Sequence, residues 1–245
     1  MSEMQPYYIL SSGTLKRNEN TILIERKNGE RKAIPVEDVD SIHVFGQVNL
    51  NKEFLVFLAR ENKPLHIYNY YGNYSGTFLP RDKNVSGELL VRQVEHYLNP
   101  QRRFFLALAF VEGAMFHAKR NLREYSGTEL FVAKIEEEFG RACATETIAG
   151  LMGCEGRAKE AYYQAFNLFL KEDFSFEKRE KHPPSNPVNA LISFGNSLLY
   201  TTILSECYRT QLNPTISYLH EPRERRFSLC LDLSEIFKPL IVDPI

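Results

Sequence analysis

Two periods of apolar and polar positions divide the chain. In the first third the runs are short and alternating. Residues 7–10, 21–25 and 41–45 are rich in β-branched or aromatic side chains and bounded by Gly, Asn or Asp, which predicts strands. Asn28-Gly29 stands between two such runs and predicts a tight hairpin turn. Between residues 51 and 61, Phe54, Leu55, Phe57 and Leu58 mark one face of a helix. Residues 65–68 and 74–79 read as strands around Gly72-Asn73, and Pro80 closes the region.

Beyond Ser86 the period lengthens. Ser86 can cap a helix carrying Leu89, Leu90, Val94 and Leu98 at spacings of three and four. Pro100 interrupts it, and the period resumes over 104–122. Residues 145–170 predict one long helix, with Ile148, Leu151, Met152, Phe166 and Phe169 along it. The polar, Pro-rich stretch 173–187 predicts a loop. Residues 190–211 predict a helix stopped by Asn213-Pro214, residues 216–219 a strand-like run, and residues 225–237 a last helix before Pro239. The expectation is an α+β chain: a small β-rich domain over 1–82, then a larger all-α domain over 86–245.

Composition narrows the function classes. The chain has 245 residues, 43% hydrophobic and 25% charged, close to a globular average and unlike a disordered segment. Net charge is -1, so a nucleic-acid surface would have to come from local clusters. Such clusters exist at Arg81 and Lys83, at Arg102 and Arg103, at Lys178, Arg179 and Lys181, and at Arg223, Arg225 and Arg226. Acids are interleaved throughout, so each cluster reads either as a phosphate contact or as a solvated face. Cys143, Cys154, Cys207 and Cys230 form no CxxC pair, and are expected as buried free thiols in a reducing cytosol. There is no signal-peptide pattern and no membrane-length apolar run, so a soluble, cytoplasmic protein is expected.

Three segments carry candidate chemistry. Glu155 lies within an apolar helix, between Gly153 and Gly156. A carboxylate there needs a partner or a cation, and the glycines leave room for a close approach. The partner could be Arg157, another base or a metal. His220 precedes Glu221-Pro222 and reads as a turn residue or a ligand. Asp232 and Glu235 are three apart, on one helical face, among leucines. They are an acidic edge, a network with Arg225 and Arg226, or the neighbours of a cation. One histidine with two or three carboxylates suits Mg²⁺ or Mn²⁺ and phosphodiester chemistry.

At this point the motifs resemble a known family. Residues 34–39 (Ile-Pro-Val-Glu-Asp-Val), 42–46 (Ile-His-Val-Phe-Gly) and 69–72 (Asn-Tyr-Tyr-Gly) are similar to the first-domain signature of the CRISPR-associated adaptation endonuclease, the integrase subunit of spacer acquisition. Leu151-Met152-Gly153-Cys154-Glu155-Gly156 resembles its glutamate motif. Pro187-Val188-Asn189-Ala190-Leu191 with Ser193-Phe194-Gly195 resembles its next block, Leu219-His220 its histidine motif, and residues 228–239 its acidic motif.

The resemblance implies Glu155, His220 and Glu235 as catalytic ligands of Mg²⁺ or Mn²⁺, with Asp232 as an accessory acid. It implies insertion of DNA fragments into a CRISPR array by transesterification. The expected DNA includes double-stranded fragments, branched intermediates and the CRISPR repeat, held by Lys178, Arg179, Lys181, Arg223, Arg225 and Arg226. It also implies a homodimer joined by a small ferredoxin-like partner. Lys238 stands where arginine is more usual, and the chain stops at Ile245 where relatives continue with further helix. A form shortened in this way could instead be a catalytically impaired DNA-binding scaffold of the adaptation complex.

Overall fold

The alternation at the start of the chain is strand and the longer period beyond it is helix, as an α+β chain requires. In the computed structural model, residues 4–80, 86–171, 174, 176, 178–180, 186–222 and 227–244 are described. They fall into two units, Met1–Val85 and Ser86–Ile245.

The N-terminal unit runs β1 (Gln5–Ile9), β2 (Gly13–Asn18), β3 (Thr21–Arg26), β4 (Arg31–Pro35), β5 (Val39–Val44), β6 (Val48–Leu50), α1 (Lys52–Arg60), β7 (Leu65–Tyr68) and β8 (Tyr74–Phe78). They form two four-stranded sheets, ordered β1-β5-β7-β8 and β4-β3-β2-β6. Strands β2 and β4 escape the sequence pattern because each buries a single side chain, Leu15 and Ile34. The β3–β4 turn works as Asn28-Gly29 demands: Gly29 sits at φ +86°, and the Asn28 side chain accepts from the Glu30 N–H at 3.1 Å. Asn51 caps α1 by accepting from the Phe54 N–H at 2.9 Å. That helix lays Phe54, Phe57 and Leu58 against Leu15, Ile42 and Leu65.

A polar cluster is set into the β5–β7 region. His43 is buried, stacks on Tyr8, packs beside His66, and bonds Tyr68 Oη at 2.9 Å through Nδ1 and Ser41 Oγ at 3.2 Å through Nε2. Burial pushes its pKa down to about 4, against the pull of Asp40. The folded state therefore keeps His43 neutral while the unfolded chain takes a proton below about 6.5. Stability from this group is present above pH 6.5 and is lost as pH falls towards 4. We expect up to about 3 kcal/mol of acid sensitivity, reduced in His43→Gln and measured by denaturant titration at pH 7 and pH 4.5.

The C-terminal unit is helical: α2 (Gly87–Leu98), α3 (Pro100–Leu122), α4 (Glu129–Ala144), α5 (Ile148–Gln164), α6 (Pro187–Arg209) and α7 (Ser228–Phe237). Side-chain caps start four of them: Ser86 to the Leu89 N–H at 3.2 Å, Asn99 to Arg102 at 3.0 Å, Thr147 to Gly150 at 3.1 Å and Asn186 to Asn189 at 2.8 Å. Pro100, read as an interruption, is the first residue of α3, where its missing N–H costs nothing. Helix α5 stops at Gln164 and tightens into a 3-10 turn, Ala165–Leu168, so it is shorter than its period predicts. Its core partners come from α3 and α4: Val111, Met115, Leu122 and Ile135 pack with Leu151, Ala158 and Ala161. Cys154, Cys207 and Cys230 are buried free thiols, but Cys143 is exposed.

After α7 the chain winds into a π-helical turn, Lys238–Val242, against α6. Gly195 permits that contact, since a Cβ there would lie 2.6 Å from Val242 Cγ1. We expect Gly195→Val to cost about 1–3 kcal/mol by overpacking, read as a fall of about 5 °C in melting temperature. An unchanged melting temperature would mean that the turn yields freely.

Candidate active site

The carboxylates of Glu155 and Glu235 reach one cation from two helices. Glu155 is in α5 and Glu235 in α7; both are turned inwards, with side chains 14% and 4% exposed. Lys159, one turn after Glu155, places its ammonium against Glu155 Oε1 and Glu235 Oε2 together. The other oxygen of Glu235 accepts from Lys238 Nζ at 2.7 Å. Burial works against the Glu235 carboxylate, but Lys159 and Lys238 outweigh it and hold its pKa below the usual range. Burial likewise opposes the Lys159 ammonium, and Glu235 and Glu155 outweigh it, so its pKa is raised.

Arg157, the nearest base in sequence, is not the partner of Glu155. It turns to Glu138 on α4, Nε to Oε2 at 2.9 Å. Positions i and i+4 share a helix face and i and i+2 do not. The glycines differ as well. A Cβ at Gly153 would meet only Arg157 Nη1, whereas Gly156 faces open space.

Around the carboxylates lies a cavity of about 30 Å³, lined also by Met115, Tyr162, Tyr163 and Asp243. This is room for a single water or small ion. Burial pushes the Asp243 pKa up to about 7, against Lys238 and Lys159. Next to it is a cleft of about 430 Å³ lined by Gly156, Lys159, Tyr163, Arg179, Asn196 and Lys238 among others. Asn196 Oδ1 is buried there without a hydrogen bond from the described residues.

His220 is held differently. Residues 216–219 form no strand. Their backbone donors turn to Asp232, which is wholly buried. Its Oδ2 accepts from the Tyr218 N–H at 2.6 Å and the Leu219 N–H at 2.9 Å. Its Oδ1 accepts from the His220 N–H at 2.9 Å and from His220 Nδ1 at 2.8 Å. Asp232, expected as an accessory acid at the metal, thus has both oxygens committed to protein donors and orients the imidazole. With Nδ1 protonated towards the carboxylate, Nε2 carries the free lone pair.

The loop is clamped from its other side too. Arg103 Nε donates to Tyr218 O at 2.9 Å and its guanidinium pairs with Glu221 at 2.7 Å. Gln93 exchanges two hydrogen bonds with the Asn213 backbone. Gln93, Arg103 and Lys159 carry this geometry, yet nothing in their spacing separates them from other polar helix positions.

The structure brings Glu155 and Glu235 together. It sets Asp232, the anchor of His220, one helical turn from Glu235. Among the described residues no three His, Cys, Asp or Glu side chains stand ready as a metal cluster. The chemistry of the donors fits a hard divalent ion: two carboxylates already share a cation, and a carboxylate-oriented histidine is the usual form of an imidazole ligand.

Of the residues expected to hold DNA, Lys178 is exposed and pairs with Glu180 at 3.2 Å. Arg179 faces inwards, donating to Asn189 Oδ1 at 2.9 Å and Ser193 Oγ at 3.0 Å. Burial lowers its pKa, although nearby Tyr163 and Asp243 oppose this. Lys181, Arg223, Arg225 and Arg226 lie outside the described residues, as do Arg81 and Lys83.

A family model described as CRISPR associated protein Cas1 matches residues 7–245. A protein of Thermodesulfovibrio yellowstonii named CRISPR-associated endonuclease Cas1 3 is 62% identical over 242 residues, which is 99% of this chain and 74% of the relative. Among solved structures, a CAS1 protein from Thermotoga maritima superposes with a TM-score of 0.91 at 45% identity, over 98% of this chain and 76% of that one. A casposase bound to an integration product shares the fold at 19% identity, with a TM-score of 0.83 over 97% of this chain and 70% of that one.

Proposed function

The chain belongs to the CRISPR-associated Cas1 family, and on that premise we propose that it is a metal-dependent DNA endonuclease and integrase of CRISPR adaptation. The observation that carries this reading is the convergence of Glu155 and Glu235 from α5 and α7 on one cation. Glu155, Glu235 and Nε2 of His220 would hold Mg²⁺ or Mn²⁺, which supplies Lewis-acid polarisation of a phosphate and a more acidic attacking hydroxyl. Asp232 fixes the tautomer and direction of the imidazole. Lys238 neutralises the oxygen of Glu235 that faces away from Lys159. The cationic cleft beside Gly156 receives the DNA backbone, whose phosphates need positive charge more than base readout.

In the integration step, the 3′-hydroxyl of a DNA fragment replaces a bridging oxygen at the border of a CRISPR repeat. One phosphodiester forms as another breaks, so no energy source is consumed. Water in place of the hydroxyl gives cleavage of branched DNA. The protein works as a homodimer joined by a small ferredoxin-like partner. No helix among the described residues is long and apolar enough to cross a membrane.

The test is strand transfer and nicking on a branched DNA substrate with Mn²⁺, with EDTA, and with Mn²⁺ restored. We expect activity with Mn²⁺, its loss on chelation and its return. DNA binding without strand scission under any metal would replace this reading by that of a scaffold. Turnover of mononucleotides but not branched DNA would replace it by a small-molecule phosphoesterase.

A further inference from the structure

Lys159 stands where a divalent cation would have to go. Its ammonium touches Glu155 and Glu235 at once, whereas Lys238 bonds only Glu235 Oε1, at 2.7 Å. Two buried carboxylates need a counter-charge between them. Two cations at that same point would repel, so a divalent ion bridging the two carboxylates and the ammonium cannot share it. Lys159 also lines the neighbouring cleft of about 430 Å³, and its flexible four-carbon stem can carry the ammonium there.

We propose that Lys159 is the resident counter-ion of the metal-free site, displaced into the adjoining cleft when a divalent metal binds between Glu155 and Glu235. The inference rests on the metal reading of those two carboxylates. It makes the lysine an internal competitor: it stabilises the metal-free protein and weakens metal affinity by the same interaction, because a ligand is bound against whatever it must displace. Lys159 is therefore a positioning residue that sets the metal concentration at which the site fills.

The experiment uses the full chain and Mn²⁺ or Mg²⁺ alone as probe. Calorimetric titration should show Lys159→Gln binding Mn²⁺ about tenfold or more tightly than the parent. Lys238→Gln should shift the affinity less. Without metal, Lys159→Gln should melt about 5 °C or more below the parent, and saturating Mg²⁺ should close the gap. In the parent, ¹⁵N-lysine NMR should show the protected ammonium signals of two ion-paired lysines, Lys159 and Lys238, of which one alone loses its protection as Mg²⁺ is added, a readout that needs no variant to fold.

An equal effect of Lys238→Gln would mean a general field and overturn the proposal. So would an unchanged Mn²⁺ affinity in Lys159→Gln, or a melting deficit that persists at saturating metal. If the parent itself binds no Mn²⁺, the metal reading falls and this inference with it. If the parent binds but the lysine signal is indifferent to Mg²⁺, only the displacement falls.

Discussion

Glu155→Gln is expected to leave the protein folded and to cut Mn²⁺-dependent nicking of branched DNA by about 10³-fold or more. The two halves of this expectation have separate causes. Glutamine keeps the shape of the side chain, and its amide oxygen can still face the Lys159 ammonium that Glu155 Oε1 touches. Lys159 keeps Glu235 as its partner, so no buried charge is stranded. The melting temperature should therefore stay within a few degrees of the parent, by roughly 2–4 °C per kcal/mol for a chain of this size.

Activity is another matter. A metal ligand that loses its charge weakens both the hold on the ion and the electrostatic stabilisation of the transition state, which is worth several kcal/mol. Each 1.36 kcal/mol is about tenfold in rate, which sets the expected scale. Nicking rates at saturating Mn²⁺, measured with circular dichroism on the same preparation, decide it. A Glu155→Gln protein that nicks within tenfold of the parent would remove Glu155 from the site.

Some of this could be read in the sequence and some could not, for physical reasons. Local signals were legible because they act over three or four residues: the cap at Ser86, the Asn28-Gly29 turn, and the buried face of α1 all appear where the side-chain pattern places them. Helix α4 was within reach too, since Phe131, Val132, Ile135 and Ala142 repeat on one face. The carboxylate at position 155 advertised itself by its cost in an apolar helix. Its helical partner was within reach as well, since Lys159 at i+4 shares its face and Arg157 at i+2 does not; what no local spacing shows is that α7 brings Glu235 to the same lysine.

The run at 216–219 failed for an instructive reason. Apolar residues bounded by polar ones suggest a strand only if a neighbouring strand satisfies the backbone. Here a carboxylate 13 residues beyond Leu219 supplies the acceptors instead. The same distance hid the division of labour on α7. Asp232 and Glu235 look alike in sequence, and only the fold gives one of them to a loop and the other to a cation.

Asp232→Ala should therefore be the most damaging single change to stability. One carboxylate serves three backbone N–H groups and an imidazole, at 2.6 to 2.9 Å, in a position with no solvent exposure. Truncation leaves the Tyr218, Leu219 and His220 amides without their acceptor, and water can replace it only by opening the packing of α7. Each stranded donor costs about 1–3 kcal/mol, but the loop can relax around part of the loss. A total of about 3–5 kcal/mol follows, in line with the loss of one partner from a buried charged network. The melting temperature should fall by on the order of 10 °C.

His220→Ala is the matched comparison, because it removes one of the four donors and leaves the other three bonded. It should cost about 1 kcal/mol while abolishing metal-dependent cleavage as Asp232→Ala does. If chemical denaturation showed Asp232→Ala within 1 kcal/mol of the parent, the loop would have to hold itself without the carboxylate. The orientation of His220 would then need another cause. If the two variants lost equal stability, the weight would lie on the imidazole bond alone and not on the backbone amides that converge with it.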